Sequence, residues 1–503
     1  MKKMIRSHLQ FVIAFALSLL HTGISFLTDR LIFEASPGAN PFDYTICKIL
    51  AFLAFFAFYA ALCGLIMKKA DRLKKILLFA LPYLIVMIAV ACLKLPQGYL
   101  SNDETLIVSS ALHLEHYTWF YYLTTYYYIV CFMLIPVYLA PIFIKLLIEY
   151  LMIGSVIARI DEAFGKPYRY FGYLLFLLYP VIAYTTSAHR LPIYFLLYLL
   201  LFSTLLFDGI SHAPLSLFKE ICLLCLCAVL TQWRTEGIYL LILTPILMLF
   251  VYPSLRKKKA LIVLLLLLGM IQYVVSIPQN GLVAKEMGAA ADDRMKPFYA
   301  YTITNMLRNG LDREKNAQDL AIVDRYLSLE KIDAINDYYG DINYEDVLIL
   351  YQDGFVGVRE EAGIAEFFDY ANALKRIFAN NIPVFLKTRI GAFCYAAVPY
   401  RIETGNGIGS LFVSIVKFFS YNLFLPFAII VLLALYSLIR KRFYSLFVML
   451  GVLAHWFLVF ILAPASYFKY YFPVYIMAYF YLLLLILEAF FNKKQDQKIR
   501  VLF

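Results

Sequence analysis

The sequence predicts an all-α, polytopic membrane protein. About twelve transmembrane helices are expected, with interfacial helices in an outer loop and a mostly helical extracytoplasmic region. Three observations carry this reading. Hydrophobic residues make up 63% of the 503 positions and charged residues only 16%, too few for the surface of a soluble chain of this length. The apolar runs are continuous and long, unlike the short alternating segments of a barrel. The formal charge of +11 resides in short basic clusters between those runs. Such clusters record membrane topology rather than a nucleic-acid surface.

The expected spans fall near 9–27, 46–67, 75–95, 139–160, 169–185, 191–208, 217–232, 236–252, 260–277, 421–439, 443–462 and 474–491. The N-terminal stretch begins like a signal peptide, but its apolar part is longer than a typical h-region, so it is read as a retained first helix. With Lys2, Lys3 and Arg6 inside, the clusters at 68–75, 159–169, 256–259 and 440–442 and the C-terminal tail also fall inside. Both termini are then cytoplasmic. This alternation requires that YTWFYYLTTYYYIVCFMLIP, 117–136, does not cross; its Tyr and Trp content favours an interface, so a helix lying along the outer surface is expected.

Five regions result: 1–95, N-terminal membrane helices; 96–138, an outer loop with an acidic motif; 139–277, central membrane helices; 278–408, an outer helical region; and 409–503, C-terminal membrane helices. Within 278–408, AQDLAIVDRYLSLEKIDAINDYY and EFFDYANALKRIFANNIPVFLKTRI repeat apolar residues at helical spacing. Among the eight cysteines, Cys222, Cys225 and Cys227 lie in an apolar run and read as helix packing. Cys394 stands alone in the polar region, so no disulfide is expected there.

The chemistry-bearing residues collect in short turns assigned to the outer side. SNDE contains Asn102, Asp103 and Glu104. Either carboxylate suits a general base at the membrane boundary, and Ser101 with Glu104 also fits a capping box. QWRTEG interrupts an apolar run with Arg234 and Glu236, which pair with each other or, through the planar guanidinium, with a phosphate. TTSAHRLP carries His189 and Arg190. APASYFKYYFP carries Lys469 among Tyr467, Tyr470 and Tyr471. An acid and three cations from four turns on one membrane face suit an anionic, lipid-linked substrate, a phosphate or diphosphate. His113 and His116 read as surface residues. There is no Walker loop, no dinucleotide-binding glycine pattern and no HExxH.

SNDE followed by ALHLEHYTWFYYLTTYYYIVCFMLIP, TQWRTEGIYLLI, SYFKYYFPVYIMAYFYLLLL, and the outer stretches PFYAYTITNMLRNG and DLAIVDRYLSLEKIDAINDYY resemble the C-type (GT-C fold) integral-membrane glycosyltransferases of the bacterial cell envelope. The resemblance runs from about residue 96 onward. It implies a polyprenyl-phosphate sugar donor, and a cell-envelope glycan or lipid acceptor at the outer face of the cytoplasmic membrane. It also implies Asp103 as base with Glu104 as its alternative, and Arg234, Lys469 and Arg190 near the donor phosphate. Asn102, Glu236, His189, Tyr467 and Tyr470 would support them. Some members use a divalent metal; this loop shows no second acidic cluster, so no cofactor is claimed. Many members place the acidic loop directly after the first span, whereas here 46–67 and 75–95 intervene, and 1–75 reads as an accessory hairpin. Two other classes share these features: a lipid-linked oligosaccharide flippase or other transporter, and an envelope polysaccharide polymerase or ligase. Nucleic acid is excluded as a partner, and membrane lipids are implied.

Overall fold

A computed structural model describes residues 2–34, 39, 41–67, 70–94, 102–115, 120–187, 189–280, 295–339, 350, 357–359, 362–402 and 407–492. The chain divides into two compact units: 1–281 with 429–451 and 476–503, and 282–428 with 452–475. Among the described residues every regular element is helical, save one isolated antiparallel bridge, Leu327 to Val358.

The first unit contains α1 (Lys2–Ile32), α2 (Pro41–Ile66), α3 (Asp71–Lys94), α4 (Asn102–Leu112), α5 (Tyr122–Leu134), α6 (Ala140–Phe164), α7 (Lys166–Phe176), α8 (Tyr179–Thr185), α9 (Leu191–Ser211), α10 (Leu217–Trp233), α11 (Leu240–Val251) and α12 (Lys258–Asn280). Local chemistry sets several ends. Proline occupies the first turn of α7, α8 and α9, where its missing N–H costs nothing. Gly165 closes α6 at φ +90°, and His212 closes α9 in the left-handed region at φ +50°. The Ser216 side chain accepts from the Lys219 backbone N–H at 3.3 Å to start α10.

Nine helices among the described residues are long and apolar enough to cross a bilayer. They match nine of the expected spans. The other three fall on shorter helices. The segment at 169–185 is broken between α7 and α8, where Pro180 enters; α10 has 17 residues; and α11 has 12 after a 3₁₀ turn, Thr235–Gly237. Exposed leucines, isoleucines and phenylalanines line α1, α2, α3 and α12, as expected where the solvent is lipid rather than water.

The aromatic segment at 117–136 departs from a helix laid on a membrane surface. Residues 116–119 lie outside the described residues; the rest forms α5, and nine of its thirteen residues are buried in protein. The Tyr126 hydroxyl donates to Asp43 near the start of α2, and Tyr127 donates to the Pro141 carbonyl at the start of α6. The Tyr122 N–H donates to Gln279 Oε1 at the end of α12. At 13 residues, about 20 Å, α5 is too short to cross. Its tyrosines bury rings while their hydroxyls satisfy helix ends.

In the second unit, α13 (Lys296–Arg308), α14 (Ala317–Tyr326), α15 (Leu329–Tyr339), α16 (Ile364–Asn380), α17 (Ile382–Ala397) and α18 (Ile408–Ser420) precede α19 (Phe424–Ile439), α20 (Phe443–Leu462) and α21 (Phe472–Asn492), which the division between units cuts. The compact unit is thus larger than 278–408, because 409–428 and 452–475 cluster with it. Tyr299, Tyr326, Phe367, Tyr370 and Phe378 form an aromatic core. Arg389, 1% exposed, donates to the carbonyls of Phe460 at 2.6 Å and Ala463 at 2.9 Å.

Those bonds make Arg389 a structural strut. Arg389→Ala orphans two carbonyls and is expected to cost about 3 kcal/mol, read as a lower midpoint of thermal unfolding in detergent. Arg376→Ala, which breaks an exposed pair with Asp319, is the control expected to leave that midpoint nearly unchanged.

Candidate functional site

The acidic motif opens α4, and both carboxylates lie in its first turn. Glu104 shares a helix face with Ile107, Val108 and Ala111, all buried in the cluster around α5. The face carries Glu104 into the protein, where it is 0% exposed. Asp103, one residue earlier and about 100° around the helix, is half-buried. Asn102 begins the helix, and its side chain, like all of Ser101, lies outside the described residues, so the capping box is not visible.

A carboxylate buried this deeply needs partners, and the turn before α9 supplies them. Glu104 Oε1 accepts from the Arg190 backbone N–H at 3.3 Å and from Arg190 Nη1 at 3.3 Å. His189 Nδ1 lies 3.2 Å from the same oxygen. The Arg190 guanidinium stacks on Phe120, 4.2 Å from the ring centre. Asp103, Glu104 and Arg190 all lie within electrostatic reach of the Tyr128 hydroxyl on α5.

A third segment joins through the backbone. Trp233 Nε1, at the end of α10, donates to the Arg190 carbonyl at 3.1 Å, and its ring meets Tyr127 edge-on at 5.5 Å. Arg234 follows directly. Its Nε and Nη2 grip Glu236, with contacts of 3.1 Å and 2.7 Å. Gly237 is obligatory in this turn, since a Cβ there would stand 2.3 Å from the Leu230 carbonyl oxygen. The expected phosphate ligand is therefore engaged along one edge by a neighbouring carboxylate.

Glu104, His189 and Arg190 thus form one cluster, and Trp233 ties the Arg234–Glu236 turn to it. Lys469, Tyr467 and Tyr470 belong to the second unit. There Lys469 Nζ lies 4.9 Å over the Tyr467 ring, and His455 Nε2 contacts the Tyr470 carbonyl at 3.1 Å. Among the described residues no group of three or more His, Cys, Asp or Glu side chains is arranged to hold a metal ion. His113 pairs loosely with Glu34 at 3.7 Å; His116 lies outside the described residues. Cys222, Cys225, Cys227 and Cys394 are all free thiols.

The sequence reading missed Lys145 and Glu149. They stand four apart on α6, both almost fully buried, with Nζ and Oε1 3.7 Å apart. Lys145 also donates to the carbonyls of Tyr184 and Ser187, so it holds the turn that delivers His189 and Arg190. The signal was present: two opposite charges at helical spacing inside an apolar run.

No protein family, curated protein or solved structure matches the chain.

The Glu104–Arg190 pair behaves as a unit. Glu104→Ala should destabilise by about 3–5 kcal/mol by stranding a buried guanidinium. Adding Arg190→Met should recover part of that loss, a coupling of about 1–3 kcal/mol in a double-mutant cycle of unfolding midpoints.

Proposed function

We propose that the chain is a membrane glycosyltransferase of the C type, moving a sugar from a polyprenyl-phosphate donor onto a cell-envelope glycan or lipid, with about twelve membrane passes. The observation that carries this reading is the gathering of separate acidic and basic turns at one end of the helices. The start of α4, the start of α9 and the end of α10 meet through Glu104, Arg190 and Trp233. A transporter places its ionisable groups in broken helices near the middle of the bilayer, and this cluster stands at helix ends.

Within the proposal the two neighbouring acids divide the work. Glu104 is consumed by its pairing and fixes the geometry. Asp103, half-buried one residue away, is the base that takes the proton of the acceptor hydroxyl as it attacks the sugar. The departing phosphate gains negative charge, which cations held nearby stabilise. Glu236 engages the Nε–Nη2 edge of Arg234 and fixes the direction of its guanidinium plane. The pairing then orients Arg234 for a phosphate oxygen.

Asp103→Asn should lower transfer by about 10²- to 10⁴-fold with an unchanged unfolding midpoint, measured with a lipid-phosphate sugar donor and isolated envelope acceptor. Turnover at the parental level would remove Asp103 from the chemistry. Arg234→Ala should raise the KM for donor more than that for acceptor.

The region 278–408 is assigned to the outside of the cytoplasmic membrane, with both termini inside. Lys315, with its side chain 82% exposed, is a suitable reporter. In a Cys394→Ser background, Lys315→Cys should react with a membrane-impermeant maleimide on intact cells. Labelling only after lysis would reverse the orientation.

A further inference from the structure

At the opposite end of α9 from Arg190, roughly 27 Å along the axis at 1.5 Å per residue, lies a second charged centre that the proposed transfer reaction does not use. Asp208 is its hub. It accepts from the Tyr252 hydroxyl at 2.6 Å and from Lys219 Nζ at 2.9 Å, and Arg159 Nη1 stands 3.8 Å away. Asp208, Lys219 and Arg159 line a cavity of about 550 Å³ that α3, α6, α9 and α10 all contribute to, with Arg72 and Glu162 on its wall. The volume is that of an ordinary small-ligand site.

The charges do not balance internally. Three cations, Arg72, Arg159 and Lys219, face two carboxylates, Asp208 and Glu162. Glu162 also lies 3.6 Å from Lys75. Arg72 is exposed, has no ion-pair partner among the described residues, and lies close enough to Arg159 for their charges to repel. Lys219 stands in the first turn of α10, where backbone N–H groups add positive potential. An anion relieves all of these at once.

The rest of the lining identifies which anion. Below the charged groups the cavity wall is apolar: Leu223 and Leu226, with Phe218, 78% exposed, and the exposed Cys222 on the outer flank. The polar end coincides with the last turn of a membrane-length helix, the depth of lipid headgroups. A soluble anion has no use for that wall. We propose that this cavity binds the phosphate headgroup of an anionic phospholipid, with the first part of an acyl chain against Phe218 and Leu226. Arg72 and Lys219 contact the phosphate, and Asp208 holds Lys219 and Arg159 in place. The site stands independently of the transferase reading.

Native mass spectrometry of the detergent-purified full chain tests it, with phosphatidylglycerol and phosphatidylcholine titrated separately. The expected result is at least tenfold preferential retention of phosphatidylglycerol. Arg72→Gln, on an exposed side chain and so compatible with folding, should reduce that retention about fivefold, and Arg72→Gln with Lys219→Gln should abolish the preference. Equal retention of both lipids, or unaltered retention by the double variant, overturns the proposal. Displacement of phosphatidylglycerol by millimolar inorganic phosphate alone would show a site for a free anion and overturn it equally.

Discussion

A carboxylate with no exposed surface imposes a strict condition on everything around it. Removing Glu104 from water costs several kcal/mol unless its charge is answered at contact distance, and the answer comes from residues far along the chain, Arg190 and His189. That requirement fixes α4 against the entry of α9. Through the Arg190 carbonyl and Trp233 it fixes the end of α10 as well. In lipid, where apolar side chains gain little by meeting one another, such polar contacts specify helix partners more sharply than packing alone. Lys145 serves the same end from the other side, clasping the carbonyls that lead into the turn.

The broad class was plain from the sequence because a bilayer demands long uninterrupted apolar runs, and nine helices among the described residues meet that demand. Three of the twelve expected spans fall on shorter helices. Hydropathy does not register a break such as the one before Pro180, nor does it separate a 17-residue helix from a full crossing. The turns bearing Glu104, Arg190 and Arg234 were legible because ionisable groups are rare in such a chain. The difference in burial between Asp103 and Glu104 was also present, in the spacing of Glu104 with Ile107, Val108 and Ala111, which places it on the apolar stripe. Partner choice was not legible. Nothing local says that Asp43 receives the Tyr126 hydroxyl, or that Asp208 gathers Lys219, Tyr252 and Arg159 around it.

Tyrosine is the other device that recurs through the first unit. Tyr126, Tyr127 and Tyr252 each bury a ring while the hydroxyl answers a carboxylate or a carbonyl near a helix end. Short helices inside a membrane protein leave more unsatisfied ends per residue than long ones. A side chain that is apolar along its length and polar at its tip suits that situation. The Tyr-rich segment is therefore explained by the ends it must satisfy as much as by any affinity for headgroups.

Gly154 shows how far a small omission reaches. A methyl group at that position would stand 2.3 Å from the Ile76 carbonyl oxygen and 3.0 Å from Ala80 Cβ, so α3 and α6 touch backbone to backbone there. Helices seated this closely have no slack to roll or slide past each other. Ile76 is about one turn from Arg72 and Gly154 little more than one turn from Arg159, so the bare hydrogen at Gly154 acts as the fulcrum that sets the spacing of two guanidinium groups it never meets.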